Sequence, residues 1–235
     1  MFKDKMVLAV VAAGGSGARF NAGLPKQFLP LLDKTVIAWS AGLIQRSPYT
    51  DYAVMSVRRE YIPLWNEIAG RHSLSKFTET VPGGSDRQSS VYAGVRRAAE
   101  IADGKASIII IHDAARPLAT QESLDKAIEA AEKYGGAVVS VPARDTIKMA
   151  KGLFISETPE RTALYIAQTP QVFRLELLLK AHEAALKDGF TGSDDASLVE
   201  RIGGDVCLTP GTYGNIKITH PEDLALAETL ARFAQ

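Results

Sequence analysis

The stretch VVAAGGSGARFNAGLPKQF, Val10–Phe28, joins the end of an apolar run to a loop rich in glycine and cations. Such a loop directly after an apolar strand is typical of the phosphate-binding turns of parallel α/β sheets. The two common templates do not fit, however. A G-x-G-x-x-G motif that begins at Gly15 would need glycine where Phe20 stands, and a P-loop would need lysine directly after Gly17. The stretch therefore predicts a strand that leads into an anion-binding loop of another design.

Further along the chain, continuous apolar runs alternate with segments of helical periodicity. Runs that are apolar throughout predict strands buried on both faces, and the alternation predicts right-handed crossovers. The expected fold class is α/β, with a mostly parallel, doubly wound (Rossmann-like) sheet in a single domain over residues 1–235. The predicted strands are MVLAVVAA (6–13), DYAVMSVR (51–58), ASIIIIHD (106–113) and GAVVSVPA (136–143). The predicted helices are TVIAWSAGLIQ (35–45), DRQSSVYAGVRRAAEIA (86–102) and TQESLDKAIEAAEKYG (120–135).

The composition restricts the class of function. The 235 residues include 27 Lys+Arg and 27 Asp+Glu, so the net charge is zero and no nucleic-acid face is expected. Small anionic ligands remain compatible, because they need only a few cations in one place. A single cysteine, Cys207, excludes an intrachain disulfide, fits a reducing compartment and is expected to be a buried strand residue.

The N-terminal apolar run, Met6–Ala13, loosely resembles a signal peptide, but it leads straight into the glycine loop. It is also far shorter than the ~20 apolar residues that a membrane helix needs. We expect a buried strand, a cytoplasmic location and no association with a membrane.

The segment Pro142–Gln171 departs from the alternation of strands and helices. Polar and apolar residues alternate around Lys151-Gly152, which predicts a β-hairpin arm at about 142–171. Such an arm either folds back on its own subunit or embraces a second copy. The second interpretation is favoured and implies a homodimer, because oligomers are usually symmetric pairs.

Chemistry-bearing residues cluster in the loop after the first strand. The amides of Gly14, Gly15 and Gly17 can approach phosphate oxygens, and Arg19 and Lys26 add two cations. This combination suits a triphosphate whose charge increases as a bond breaks. The simpler alternative is a glycine-rich turn with two solvated cations.

A second loop, PGGSDRQSSV, precedes a predicted helix. Ser85 or Asp86 can cap that helix, and the exposed amides together with Ser90 could read the edge of a base.

A third loop, HDAARP, ends the isoleucine strand. It offers either a structural Asp113–Arg116 pair or an Asp113 carboxylate near a sugar hydroxyl or a metal-bound phosphate. His112 receives no catalytic role, and the histidines show no metal-ligand spacing.

Taken together, these motifs resemble a known family. AAGGSGARF…PKQF, GGSDRQSSV, HDAARP, RDTIK, TPQVF, SDDAS and GTYGNIKIT…PEDL occur in this order across nearly the whole chain. They are similar to the 2-C-methyl-D-erythritol 4-phosphate cytidylyltransferases of the non-mevalonate isoprenoid pathway. The resemblance implies a nucleotidyltransferase sheet, a homodimer with exchanged β-arms, and transfer of CMP from CTP to methylerythritol phosphate. It also implies Mg²⁺ held mainly by the CTP phosphates, without direct protein ligands.

The resemblance further implies roles for individual residues. Catalytic cations that stabilise charge on the α-phosphate would be Arg19, Lys26 and Lys217. Nucleotide-binding residues would be Ala12, Ala13, Gly14, Gly15, Gly17, Gly83, Ser85, Ser90, Asp113 and Ala114. Acceptor-binding residues would be Asp113, Arg116, Thr146, Arg161, Thr169 and Lys217, with Arg161 acting in the partner's site. The chain departs from the usual family residues at Asp86, Ser89 and Ser193.

Three alternatives belong to other functions. A ribitol-5-phosphate cytidylyltransferase would share the glycine loop and the RDT segment. A dinucleotide-dependent oxidoreductase would need a third glycine and an acidic residue after the second strand, where Arg58-Arg59 stand instead. A non-catalytic nucleotide-binding module would have no need for cations that converge on an α-phosphate.

Overall fold

The structure, a computed structural model, describes residues 2–15 and 23–233. Its core is a seven-stranded sheet in the order β11-β7-β10-β6-β1-β4-β5, with α-helices on both faces. The central-sheet strands are β1 (Met6–Ala13), β4 (Tyr52–Val57), β5 (Phe77–Pro82), β6 (Ser107–Asp113), β7 (Gly136–Pro142), β10 (Tyr165–Arg174) and β11 (Cys207–Pro210). Two short pairs complete the strands: β2 (Pro30–Leu31) with β3 (Lys34–Thr35), and β8 (Met149–Lys151) with β9 (Phe154–Glu157). The helices are α1 (Val36–Arg46), α2 (Ile62–Arg71), α3 (Arg87–Ala102), α4 (Gln121–Tyr134), α5 (Leu175–Lys187), α6 (Asp195–Arg201) and α7 (Pro221–Phe233).

The predicted fold class is confirmed. Strand β1 pairs in parallel with both β4 and β6, and β5 and β11 extend the sheet with further parallel pairs. Alternate residues of β1 and β6 point to opposite faces, so Ile108 and Ile110 pack in one apolar cluster while Ile109 and Ile111 pack in the other. Helices α1, α2 and α4 cover the first face, and α3, α5 and α6 cover the second.

The predicted helix start at Thr120 is also confirmed. Its side chain accepts a hydrogen bond from the backbone amide of Ser123, and α4 ends at Tyr134 before Gly135. Gly135 has φ of 101°, a conformation that glycine adopts without strain.

The arm contains the predicted hairpin, since β8 and β9 pair antiparallel around Lys151 and Phe154. The last part of the predicted range behaves differently. Residues 165–171 belong to β10, which is antiparallel to both of its neighbours and fills the space between β6 and β7. The prediction missed this strand because its first three residues are exposed and continue from the hairpin segment, while the burial of residues 168–173 becomes apparent only between two partner strands.

Two smaller findings concern Cys207 and the possibility of membrane spans. Cys207 begins edge strand β11 and is partly exposed, so the prediction of a buried cysteine was wrong. An edge strand has a neighbour on one side only, which leaves its side chains less covered. Within residues 2–15 and 23–233, no helix is long and apolar enough to cross a membrane.

Candidate active site

Two adjoining cavities open at the carboxyl ends of the central parallel strands. The larger has a volume of about 560 Å³ and the smaller about 210 Å³. Three charged side chains, Arg87, Asp113 and Lys217, line both cavities and therefore stand where the two meet. Ligands bind at this edge in open α/β sheets.

The glycine loop forms one wall of the larger cavity. Ala12, Ala13, Gly14, Gly15 and Lys26 line it, as the sequence predicted. A Cβ atom added to Gly14 would lie 2.4 Å from Ser90 Oγ, so the close approach of these two loops requires glycine at this position.

Buried Gln27 fixes the backbone of that loop. Its Nε2 donates hydrogen bonds to the carbonyl oxygens of Ala13, at 2.7 Å, and of Gly15, at 3.2 Å. These hydrogen bonds connect the short helical turn Lys26–Phe28 to the glycine loop. Sequence reasoning missed Gln27, although its position beside Lys26 in PKQF was a usable signal. Gly17 and Arg19, which the sequence also assigned to this loop, lie outside the described residues.

The second predicted loop supplies the opposite wall. Ser85, Ser90 and Asp86 line the larger cavity, and Ala114 does so from the loop after β6. Asp86 is the cap of α3, because its Oδ1 accepts from the Ser89 amide at 2.8 Å while Ser89 Oγ accepts from the Asp86 amide. This reciprocal capping confirms the predicted helix start.

Gly83 is placed next to this wall rather than in it. A Cβ atom added there would lie 3.0 Å from Ser90 Oγ, and its amide donates to the carbonyl of Val57. The neighbouring Gly84 lines the cavity instead.

Asp113, the last residue of β6, is the centre of the electrostatic network. Its Oδ1 accepts from Arg87 Nε at 2.9 Å, and its Oδ2 lies 2.7 Å from Lys217 Nζ. Burial acts to raise the pKa of Asp113, but Arg87 and Lys217 outweigh this effect and hold it well below its usual range. The carboxylate is therefore charged at neutral pH.

The structural alternative for Asp113, an ion pair with Arg116, was wrong. The guanidinium of Arg116 lies near enough for its charge to help lower the pKa of Asp113, but it donates instead to the carbonyl oxygens of Asn215, at 2.8 Å, and Ala167, at 3.5 Å. Two residues outside the HDAARP loop take its place as partners of Asp113. Sequence spacing offered Arg116 as the only local partner, because it does not show which distant cations the fold brings to a strand end.

Lys217 reaches the site through the segment that follows β11. The amide of Ile218 donates to the carbonyl of Ala115 at 2.9 Å, which holds this segment against the loop after β6. The Lys217 side chain is 41% exposed, so it can reach a ligand in either cavity.

The ring of His112, to which the sequence assigned no catalytic role, contacts two segments of the chain through its two nitrogens. The Arg116 carbonyl can only accept, so His112 Nε2 donates to it and Nδ1 of the neutral ring accepts from the Thr169 hydroxyl. The Thr169 Oγ1 atom in turn accepts from the Asp113 amide. Burial lowers the pKa of His112 to about 4, and the nearby charge of Arg116 adds to this effect. The imidazole is therefore neutral at physiological pH and serves as a link between backbone segments.

The smaller cavity contains several of the predicted acceptor-side residues. Arg116, Thr169, Asp113 and Lys217 line it. The remaining lining residues are Arg87, Ala167, Gln168, Gln171, Ser193 and Asp194. The polar side chains of this group can donate to and accept from a small molecule that carries hydroxyl and phosphate groups.

Two predicted acceptor residues lie elsewhere. Thr146 and Arg161 are exposed on the segment that carries the hairpin, and neither is among the residues that line the two cavities. Arg161 Nη1 donates to the carbonyl of Arg144 at 2.9 Å. Within one chain, the structure does not bring these two side chains to the site.

Sequence reasoning missed three charged residues near the site. Arg87 and Asp195 lie in motifs that were quoted, GGSDRQSSV and SDDAS, but received no role. Arg58, at the end of β4, also lines the larger cavity and pairs with Glu60 at 2.9 Å. A cation directly after a parallel strand was the available signal for Arg58.

The described part of the chain contains no group of three or more His, Cys, Asp or Glu side chains that could hold a metal ion. The carboxylates of Asp86 and Asp113, which line the larger cavity, are already engaged by a helix cap and by two cations. A divalent ion at this site would therefore have to arrive with much of its own ligand set, as Mg²⁺ does on a triphosphate.

A mostly parallel α/β sheet, a glycine loop at the end of its first strand and two adjoining cavities lined by cations are typical of an enzyme that binds a nucleotide. The family model for 2-C-methyl-D-erythritol 4-phosphate cytidylyltransferase matches residues 7–232. The chain belongs to this family, and it is a cytidylyltransferase that acts in isoprenoid biosynthesis with CTP as donor.

Individual relatives agree with this assignment. The 2-C-methyl-D-erythritol 4-phosphate cytidylyltransferase of Geobacter metallireducens is 41% identical over 227 residues, which cover 96% of this chain and 97% of that protein. The protein of the same name from Geobacillus kaustophilus is 42% identical over 222 residues, covering 94% and 95%.

Solved structures show the same fold. A crystal structure of 4-diphosphocytidyl-2C-methyl-D-erythritol synthase superimposes with a TM-score of 0.80 at 30% identity, covering 97% of this chain and 98% of that one. The 2-C-methyl-D-erythritol 4-phosphate cytidylyltransferase of Thermus thermophilus has a TM-score of 0.76 at 31% identity, covering 95% and 98%. The alternative of a ribitol-5-phosphate cytidylyltransferase is not favoured by these findings.

Proposed function

We propose that the larger cavity holds CTP, that the smaller holds 2-C-methyl-D-erythritol 4-phosphate, and that CMP is transferred at their common wall. The observation that carries this proposal is that Arg87, Asp113 and Lys217 line both cavities. A transfer reaction needs donor and acceptor in contact at one point, with charge stabilisation concentrated there.

The chemistry follows from the charges of the substrates. A phosphate oxygen of the acceptor attacks the α-phosphorus of CTP, an O–P bond forms, and the bond to the β-phosphate breaks with release of pyrophosphate. The attacking oxygen is already anionic, so the reaction needs no strong general base, and His112 is neutral and engaged at both ring nitrogens. Positioning and electrostatic stabilisation then supply most of the rate enhancement.

Lys26 and Lys217 supply cations on different sides of the reacting phosphorus, one beside the glycine loop and one at the common wall. The sequence adds Arg19 to this set. The amides of the glycine loop approach the phosphates, and the loop around Ser85 and Ser90 faces the base.

We assign Mg²⁺ to the triphosphate of CTP, because the described carboxylates of the larger cavity are already engaged. When bound, the ion neutralises phosphate charge and orients the leaving pyrophosphate. This chain's own residues act around it: Lys26 and Lys217 bind phosphate oxygens, and Asp113 holds Lys217 in place.

We also propose a homodimer in which each arm enters the partner's acceptor site. Support comes from the apolar side chains of the hairpin, of which Leu153 is 98% exposed and Phe154 80% exposed in one chain. An exposed apolar cluster on a protruding element is typical of an interaction surface. Arg161 lies on the same segment and lines neither of the two cavities of its own chain. This position is expected of a residue that acts in the partner's site.

The shared site has a direct test by complementation. A chain with Arg161→Ala and a chain with Lys26→Ala are each expected to be nearly inactive, while co-folded mixtures regain one working site per heterodimer. The control is each variant unfolded and refolded alone, which can form only homodimers. Absence of any recovery in heterodimers that sedimentation shows to be present would exclude action across the dimer.

The substrate assignment is tested by measuring pyrophosphate release with CTP and Mg²⁺, using methylerythritol 4-phosphate and ribitol 5-phosphate as separate acceptors. We expect turnover with the first acceptor only. Turnover with ribitol 5-phosphate alone would keep the donor half of the proposal and refute the acceptor half. We place the reaction in the cytoplasm, where the single cysteine would remain reduced.

A further inference from the structure

Arg87 links three separate segments of the active site through two carboxylates. It is the first residue of α3, directly after the loop that faces the base. Its Nε donates to Asp113 Oδ1 at 2.9 Å, and its Nη1 lies 2.8 Å from Asp195 Oδ2. Asp195 is the first residue of α6 and follows Ser193 and Asp194, which line the smaller cavity.

The pair is nearly closed to solvent at its inner end. The side chain of Asp195 is 1% exposed and that of Arg87 is 28% exposed. A half-buried arginine that donates to one carboxylate and forms an ion pair with a second has little freedom to rotate, because both contacts restrain the plane of the guanidinium. This geometry sets the orientation of the Asp113 carboxylate and leaves its second oxygen for Lys217.

The far side of Asp195 is supported as well. His182 Nε2 lies 3.4 Å from Asp195 Oδ1, and its ring stacks on Tyr92 with centroids 5.4 Å apart. Burial acts to raise the pKa of Asp195, but Arg87 and His182 outweigh it and lower that pKa. Asp195 is therefore a charged, fixed anchor for Arg87.

From this arrangement we infer that Arg87 and Asp195 form a positioning unit that orients Asp113 and, through it, Lys217 at the point of transfer. Neither residue is needed to bind phosphate in this role. Asp195 balances part of the charge of Arg87, so that one oxygen of Asp113 can pair with Arg87 and the other with Lys217. The inference rests on the proposed role of the Asp113–Lys217 pair in the transfer step.

The test uses Asp195→Asn, which has nearly the same shape but removes the charge that anchors Arg87. We expect kcat to fall about 10- to 100-fold, the usual cost of misplacing a group that supports the reacting atoms. The dissociation constant for CTP alone, measured by calorimetry, should change much less than kcat, because the glycine-loop wall and Lys26 are unaltered and Asp195 itself does not line the larger cavity. A merely structural residue would lower the melting temperature and leave kcat per folded site unchanged.

Substitutions of Arg87 add a rescue experiment. Arg87→Gln removes the cation that Asp113 and Asp195 share, leaves buried Asp195 without its arginine, and should lose at least as much activity as Asp195→Asn. Arg87→Lys restores the charge without the two-armed geometry, so we expect a kcat between those of Arg87→Gln and the unmodified chain. Arg97→Gln is the matched control, because Arg97 lies on the same helix in exposed ion pairs with Glu79 and Glu100, away from both cavities.

The outcomes separate this inference from the proposed function. If Asp113→Asn abolishes turnover while Asp195→Asn keeps kcat within twofold, the inference is overturned and the function stands. If Asp113→Asn itself keeps normal turnover, the assigned role of Asp113 falls as well. Should Arg87→Gln fail to fold, Asp195→Asn and Arg87→Lys decide the matter, and a normal kcat in both refutes the positioning unit.

Discussion

Replacing Lys217 by methionine should separate catalysis from stability. The Lys217 side chain is 41% exposed, and its Nζ lies 2.7 Å from Asp113 Oδ2. After the change, Asp113 keeps its hydrogen bond from Arg87, so no carboxylate is left without a cation. Loss of a partly exposed ion pair costs about 1 kcal/mol or less in unfolding free energy. For a chain of this length, that corresponds to a melting temperature lowered by about 2–4 °C at most.

The catalytic effect of Lys217→Met should be much larger. Removing one preorganised charge from the transition state typically costs roughly 10²- to 10³-fold in kcat, or about 2.7–4 kcal/mol. Pyrophosphate release at saturating CTP and acceptor, together with thermal denaturation of the same samples, measures both effects.

The matched control is Lys34→Met. Lys34 has a similar side-chain exposure, 36%, and a weak ion pair with Asp33 at 3.9 Å. It lines neither of the two active-site cavities, so kcat should stay within about twofold. If Lys217→Met also kept kcat within threefold, the assignment of the common wall as the point of transfer would be wrong. A large drop in melting temperature would instead contradict the small contribution of this ion pair to stability.

Other predictions concern packing, protonation and assembly. Gly94→Ala should lower the unfolding free energy by about 1–3 kcal/mol, because the new methyl group would lie 2.4 Å from a valine of β1. Gly70→Ala should instead raise the unfolding free energy by about 0.5–1 kcal/mol, because outside its own helix and chain neighbours no atom lies within 4 Å of the new methyl group. Denaturant titration measures both, and equal effects of the two changes would contradict the packing argument. His112 should titrate near pH 4 by NMR rather than near its ordinary value. Because the unfolded chain takes up this proton near pH 6.5 and the folded chain does not, stability is retained above pH 6.5 and falls, by on the order of 3 kcal/mol, as the pH decreases to about 4. An inflection for His112 above pH 6 would exclude this. Leu153→Asp with Phe154→Asp should convert dimers to monomers in sedimentation velocity, because buried charges oppose association; unchanged dimers would place the interface elsewhere.

Much of the sheet was predictable because its strands are buried on both faces. An all-apolar run such as Ile108–Ile111 has one favourable place in a folded chain, the centre of a covered parallel sheet. Strand β10 was not predictable in the same way. Its first three residues are exposed and continue from the hairpin segment, and the buried stretch that follows gains both partners only when β6 and β7 are already in place.

The site shows the same division. The glycine loop, Lys26 and Ser90 could be assigned from the sequence because each lies within a short motif directly after a strand or before a helix. The partners of Asp113 could not be assigned from the residues alone. Arg87 and Lys217 lie 26 and 104 residues away from it along the chain, and the only partner that local spacing offered was Arg116.

By itself, the sequence determined the fold class, the position of the glycine loop at the end of β1 and the family, because these depend on periodicity and on local motifs. Only the tertiary structure decided which charges face each other. The energy of a buried ion pair depends on distance, desolvation and the number of hydrogen bonds, and all three arise when strand ends and helix starts from distant parts of the chain converge. The Arg87–Asp113–Lys217 wall and its support by Asp195 are therefore properties of the folded molecule.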